Sequence, residues 1–314
     1  MRAATIVDGR VEVRDHPDPQ PGHGQLLVRV RGAGLNGADL LQVRGAYPPP
    51  PGYPPDIPGL ELAGEVDAVG PGVTRFAPGD RVMAVTGGAG QAELAVVHER
   101  EAMPVPDGLP WDQAGGLPEV FTTAHDAVFT QAGLALGERV CVHGAAGGVG
   151  TAAVQLAKAA GAYVVATVRS EGRRAEVAAL GADEVVDPSE TTARGPYDVI
   201  LELVGAPNMA ADLESLAVGG RIAVIGVGGG ARGEVDLSRL MRARGRILAS
   251  TLRARPLEGK AAAARAMEAH VLPLFAAGRV RVPVHATFPL AEAGAAYEAF
   301  SAGSKLGKIV LIPG

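Results

Sequence analysis

The run ERVCVHGAAGGVGTAAVQLAKAAGA, residues 138–162, constrains this chain more than any other stretch. It sets Gly144, Gly147, Gly148 and Gly150 between a β-branched segment over 139–142 and a strongly helical one that begins near Val149. Small residues at such a junction allow a tight turn, and they bring backbone N–H groups and the positive end of a helix up to a pyrophosphate. A glycine pattern alone is weak evidence, but its place at the head of a strand–helix alternation gives it force. Dinucleotide binding by Gly144, Ala146, Gly147, Gly148, Val149 and Gly150 is the expectation.

The alternation continues with strands predicted over 163–168, 184–186, 198–203, 221–225 and 246–249, and with helices over 149–160, 173–180, near 208–216 and near 237–242. Continuous apolar strands separated by helices predict a parallel, doubly wound six-stranded sheet covered on both faces. The first hundred residues read differently. Strands over 3–7 and 11–13 flank Asp8-Gly9, QLLVRVR alternates with period two, and Gly70-Pro71-Gly72 and Pro78-Gly79-Asp80 mark corners of a curled β domain. The last sixty residues, with a helix over 259–275, a strand in VRVPVHATF, a helix near 290–300 and a strand over 308–312, share that mixed texture. The α/β nucleotide domain is therefore expected over 116–254, inserted in a β-rich domain made of 1–115 and 255–314. A chain of 314 residues is in any case long for one core.

Composition removes several function classes. A net charge of −5 and an aromatic content of 4% supply neither a basic footprint nor a base-stacking surface for nucleic acid. The single cysteine, Cys141, excludes a four-thiolate zinc knot and is expected in the core of the first parallel strand. Charges at Arg2, Asp8, Arg10 and Glu12 interrupt any signal-like apolar stretch, and no segment runs 18 apolar residues, which points to a cytoplasmic, non-membrane protein.

Cofactor choice is read at the end of the second parallel strand, where an acid that would hydrogen-bond the adenine ribose is missing. The sequence there is TVRSEGRR, and Ser170, Arg173 and Arg174, with Arg169 nearby, form a set suited to a 2′-phosphate. NADPH is the expected cofactor.

Several motifs in one order, AGLNGADLLQVRGAYPPPP, PGLELAGEV, GPGVTRFAPGDRV, HGAAGGVGTAAVQLAKAAGA, LGADEVVD, GGRIAVIG and LGKIVL, resemble the zinc-free quinone oxidoreductases of zeta-crystallin type in the medium-chain dehydrogenase/reductase superfamily. ASTLRAR is similar to the branch that contains the p53-inducible quinone oxidoreductase. The resemblance implies a Rossmann sheet inserted in a GroES-like catalytic domain. It also implies that no metal is bound: Asn36 stands where zinc-dependent relatives have a cysteine, Gly59-Leu60-Glu61 replaces their GHE triplet, and GGAG at 87–90 replaces their four-cysteine lobe. Without a Lewis acid to stabilise an alkoxide, hydride transfer favours an acceptor that is already electrophilic, a quinone or an enone.

Carried over residue by residue, the resemblance makes Tyr47 and Asn36 the catalytic candidates, Tyr47 reaching nicotinamide and substrate and Asn36 donating its amide to a carbonyl oxygen. Asp39 is read either as a site residue or as the first-turn acid of a helix starting at Gly37. The resemblance adds Thr123, Val204, Gly226, Val227, Leu252 and Arg253 to the cofactor contacts. It leaves Lys305 without an assigned role and implies a homodimer through the sixth strand. The expected reaction is NADPH-dependent reduction of a quinone. An enoyl reductase on the same scaffold and an NADPH-binding protein with a structural or sensing role are the alternatives.

Overall fold

The computed structural model describes residues 1–314, and the chain divides into two compact units, 1–122 with 252–314 and 123–251. The crossovers fall at 122/123 and 251/252, so Leu252 and Arg253 belong to the first unit rather than to the nucleotide fold. No helix is long and apolar enough to cross a membrane.

The second unit is a six-stranded sheet, every neighbouring pair parallel. Its strands in spatial order are Glu184–Val186, Tyr163–Thr167, Arg139–Val142, Tyr197–Glu202, Leu216–Val224 and Arg246–Ala249. That is third, second, first, fourth, fifth, sixth in chain order, which puts the reversal of winding between the first and fourth strands. Val140, Cys141 and Val142, Val164 and Val165, and Val199, Ile200 and Leu201 are all fully buried, as strands covered on both faces require. The helices Gly148–Ala159, Glu171–Ala178, Met209–Glu214 and Leu237–Ala243 complete the winding. The second of these starts two residues before the predicted bound because Ser170 takes the N-cap and sets Glu171 against the positive helix end.

The first unit carries a hairpin, Arg2–Val7 with Arg10–Asp15, whose turn residues Asp8 and Gly9 both have positive φ, as a tight two-residue turn requires. Its main sheet orders Val284–Pro289, Lys308–Ile312, Gln25–Gly34, Glu61–Val69, Arg81–Val85 and Ala102–Pro104, with Leu94–His98 also paired to Gln25–Gly34. The C-terminal strand thus returns into the first sheet, through Val310↔Gly34 and Leu311↔Ala33. The single helix predicted over 259–275 is two, Leu257–His270 and Leu272–Ala276. Pro273 explains the break, since it cannot donate to the carbonyl four residues back.

Candidate active site

In the second unit the glycines of the 144–150 loop do different things. Gly144 sits at φ +62°, a left-handed conformation that closes the turn, and its carbonyl accepts from Gly147 N at 3.0 Å. Gly150 is a packing glycine: a Cβ there would lie 2.5 Å from the Gly144 oxygen and 2.6 Å from Ala145 Cα. Gly147 caps the helix Gly148–Ala159, and a Cβ on it would meet only the Gly144 oxygen, at 3.4 Å. The first-turn N–H groups of Gly148, Val149 and Gly150 have no acceptors within the helix, and the macrodipole adds positive character there. This cradle fits the pyrophosphate of a dinucleotide, with Ala146 small enough to keep it open.

Two further loops flank it within the same unit. After the fourth strand, Glu202 Oε1 accepts from Val204 N and from Gly205 N at 2.7 Å, and its Oε2 accepts from Asn208 Nδ2 at 2.9 Å. Val204 Cγ2 lies 3.7 Å from where a Gly144 Cβ would be. After the fifth strand, a Cβ on Gly226 would come within 2.3 Å of Leu203 O, so only glycine fits, and Val227 next to it is 46% exposed. At the second strand's end Ser170 is exposed. Arg174 is anchored there by the Val168 carbonyl at 3.2 Å and by Asp187 at 3.0 Å. Arg173 pairs along its own helix with Glu176 at 2.7 Å, and its backbone N–H donates to Ser170 O at 3.0 Å.

Behind these loops lies a polar set that sequence spacing did not show. His143, Glu202 and Asp212 are buried, and their donor atoms all lie within 4.8 Å of one another. His143 Nε2 is 2.9 Å from Asp212 Oδ1 and 3.9 Å from Glu202 Oε2, and Nδ1 is 3.1 Å from Thr167 Oγ1. Burial works against a charged imidazole, but Cys141 and the Asp212 carboxylate outweigh it, and the His143 pKa is raised. Burial also raises that of Glu202. Cys141 itself is buried, its sulfur 3.8 Å from His143 Nε2.

The first unit holds Asn36, Asp39, Tyr47, Leu252 and Arg253, and Thr123 opens the second. Asn36 is held by internal partners: Nδ2 donates to Glu61 Oε1 at 2.9 Å and lies 3.4 Å from Gly34 O, while Oδ1 accepts from Lys308 Nζ at 2.7 Å. Lys308 Nζ also binds Leu35 O at 2.7 Å and Glu61 Oε1 at 2.6 Å, and Glu61 Oε2 accepts from Glu119 N at 2.8 Å. Asn36 is therefore a member of a closed internal network, because the returning C-terminal strand delivers an ammonium to it. Arg253 also has internal partners. Its guanidinium donates to Gly87 O at 2.8 Å, to Tyr47 O at 2.7 Å and to Gln42 Oε1, and its carbon lies 5.0 Å from the Tyr47 ring centroid. Tyr47 is half-buried on that support, and its phenol pKa is raised by burial and by Glu119 against the pull of Arg253, so it keeps its proton at neutral pH.

Asp39 completes the arrangement as the first-turn acid of the helix Gly37–Val43, accepting from Asn36 N at 2.8 Å and Gly59 N at 3.1 Å. Burial pushes its pKa up to about 7. Leu252 turns its buried side chain toward Val85, Met103, Thr122 and Ala264 around a cavity of about 10 Å³. Thr123 is buried in the helix Pro118–His125. Lys308 had a sequence signal, a single charge at the head of an otherwise apolar strand, whereas Glu61 opens a strand that also carries Glu65 and Asp67. Asp212 had none, since an acid on a short helix is ordinarily solvated.

Residues 22–107 match the alcohol dehydrogenase GroES-like domain family and residues 148–269 the zinc-binding dehydrogenase family. The chain is 32% identical to a quinone oxidoreductase of Rattus norvegicus, over 94% of this chain and 91% of that one. It is 35% identical to an acryloyl-coenzyme A reductase of Metallosphaera sedula, over 98% and 99%. A mycobacterial protein solved in complex with NADPH superposes with a TM-score of 0.88 at 28% identity, each chain covered fully. The six-stranded winding, the glycine cradle and these relationships agree. The chain belongs to the medium-chain dehydrogenase/reductase superfamily, related over nearly its whole length to that superfamily's quinone oxidoreductases, and it is an oxidoreductase that works with a nicotinamide dinucleotide.

Proposed function

We propose that the chain is a zinc-independent, NADPH-dependent reductase that passes a hydride to a quinone. The observation that carries this reading is Lys308 Nζ, held 2.7 Å from Asn36 Oδ1 and 2.6 Å from Glu61 Oε1. Asn36 and Leu60 stand at the two positions that resemblance assigns to metal ligands, and the polar groups beside them already bind a buried ammonium. A second cation there would meet uncompensated repulsion in a low-dielectric setting. Acceptors that need no Lewis acid fit such a site.

Bound in the Gly144–Gly150 cradle, the nicotinamide dinucleotide supplies the hydride. Tyr47, carrying its proton at neutral pH and braced by Arg253, is the donor we assign to the oxygen on which charge develops. Thr123, Val204, Gly226, Val227 and the Leu252 backbone are the cofactor contacts we retain. Ser170, Arg173 and Arg174 would take the 2′-phosphate, supported by the NADPH-bound mycobacterial neighbour. The acryloyl-coenzyme A reductase relative favours a second reading, reduction of an α,β-unsaturated thioester or enone on the same scaffold. A homodimer is proposed through the free edge of Arg246–Ala249, where Ile247, Leu237 and Met241 are exposed at 36%, 66% and 76%.

The test is a panel of ortho- and para-quinones, enones and acryloyl thioesters with NADPH, read as loss of nicotinamide absorbance. Quinone turnover exceeding that of the thioesters is expected. The reverse order would install the enoyl reading, and binding without turnover on any acceptor would leave a binding protein. Equal affinity for NADPH and NADH would remove the 2′-phosphate assignment, and loss of rate on chelation would remove zinc independence.

A further inference from the structure

We propose that His143, Asp212 and Glu202 form a positioning network that fixes the cofactor loops against one another, so that it governs affinity for the nicotinamide dinucleotide rather than the chemistry at the acceptor. Glu202 is the hub. Its carboxylate takes the backbone N–H groups of Val204 and Gly205 and the Asn208 amide, and its carbonyl takes Ile225 N at 2.9 Å and Gly226 N at 3.1 Å. One residue thus organises the loops after the fourth and fifth strands. His143 directly precedes Gly144, and its own N–H is bonded to Leu201 O at 3.0 Å. Its ring reaches Thr167 at the end of the second strand and Asp212 on the helix Met209–Glu214. Ala145 N closes the same junction by donating to Thr167 O at 3.2 Å. The ends of the first, second, fourth and fifth strands therefore meet at one buried polar set.

An apolar core would stabilise the sheet at least as well, since buried charges contribute little net stability. This set stands at the carboxyl ends of the strands, where the order of winding reverses and where ligands of such sheets bind. Asp212 Oδ2 is buried with no hydrogen-bond partner, so the set is not arranged for greatest stability alone. Although three donor atoms converge, Glu202 already receives three N–H groups and His143 Nε2 lies at hydrogen-bond distance, 2.9 Å, from Asp212 Oδ1, so the arrangement is read as a proton-bridged network.

The experiment titrates NADPH and NADH separately against the wild type, Glu202→Gln, Asp212→Asn and Asn208→Ala. It reads the fluorescence of bound reduced nicotinamide and, in parallel, kcat and KM for a quinone. Glu202→Gln is expected to weaken both cofactors by about tenfold or more, within the usual range of site coupling, and Asn208→Ala to weaken them less. In both, kcat at saturating cofactor and the quinone KM should stay within about twofold. A purely structural role gives the opposite split, a smaller active fraction and lower kcat at unchanged Kd. Should Glu202→Gln fail to fold, Asn208→Ala and Thr167→Val decide, because each removes a single bond at the edge of the network. Unchanged cofactor affinity in these folded variants would overturn the proposal, as would stoichiometric zinc in the wild type that Asp212→Asn loses.

Discussion

Each unit buries a knot of charge beside its candidate residues, and these two knots are built to different rules. In the first unit Lys308, Glu61 and Asn36 close on one another: the ammonium has three oxygen partners, and both carboxylate oxygens accept. In the second unit one imidazole serves two carboxylates, and Asp212 Oδ2 remains without a partner. A satisfied pair of opposite charges holds strands together and resists change. A set with excess carboxylate transmits change to the loops it touches, because its members compete for the same proton and the same donors.

The sharpest way to break this comparison is Lys308→Met. Removing the ammonium leaves Glu61 buried and unpaired, which should destabilise the protein by about 3–5 kcal/mol. Urea unfolding measures it, and adding Glu61→Gln should recover a large part of the loss. If Lys308→Met costs less than about 1 kcal/mol, the first knot is not the closed structural pair described above.

Asp39 beside that knot gives a pH-dependent version. Below about pH 4 it is protonated in both the folded and the unfolded chain. Above that the unfolded chain releases the proton while the folded chain holds it up to about pH 7, because burial penalises the carboxylate. Stability therefore falls as pH rises through this window and flattens above it, by as much as about 4 kcal/mol at 1.36 kcal/mol per unit. Asp39→Asn should remove that slope. Parallel slopes in the variant and the wild type would place the titration elsewhere.

How much of this was legible depends on whether neighbours in space were neighbours in sequence. Gly144–Gly150 announces itself because strand, turn and helix are consecutive, and the winding follows from alternation. The helix over 259–275 was read through Pro273 because its apolar period continues across the break. The internal partners of Asn36 and Arg253 were not legible, for a different reason. Their partners lie far along the chain, Lys308 and Glu61 for one and Gly87, Tyr47 and Gln42 for the other. A motif carries residue identity, but not which way a side chain's donors turn. His143 and Asp212 come together across 69 positions, with no local pattern to announce them.

A smaller effect separates two glycines of one loop. Gly150→Ala drives a methyl into backbone at 2.5–2.6 Å and should cost about 1–3 kcal/mol of stability. Gly147→Ala meets one oxygen at 3.4 Å and should leave stability within about 0.5 kcal/mol while weakening the cofactor, since on the proposed reading the added methyl would stand where the pyrophosphate approaches. Thermal unfolding and cofactor titration on both variants check the contrast. Equal losses of stability would mean that the loop is one packed unit with no separate cradle.

The smallest expected change in turnover bears most directly on the chemistry. Asn36→Ala removes one acceptor from Lys308 and one donor from Glu61, but leaves the ion pair between those two intact at 2.6 Å. The stability loss should therefore be at least about 1.5–3 kcal/mol, the scale of one hydrogen bond to a charged partner, since two such bonds are removed. Its effect on turnover separates the two accounts of this residue. If Asn36 donated to the acceptor oxygen, its loss would lower kcat by about 10²-fold or more, as removal of one oxyanion donor does, with folding barely altered. Locked as it is between Glu61 and Lys308, it should leave kcat within about twofold and lower only the unfolding midpoint. A large fall in kcat at nearly wild-type stability would return Asn36 to the catalytic site and require its amide to turn away from Glu61 during the reaction.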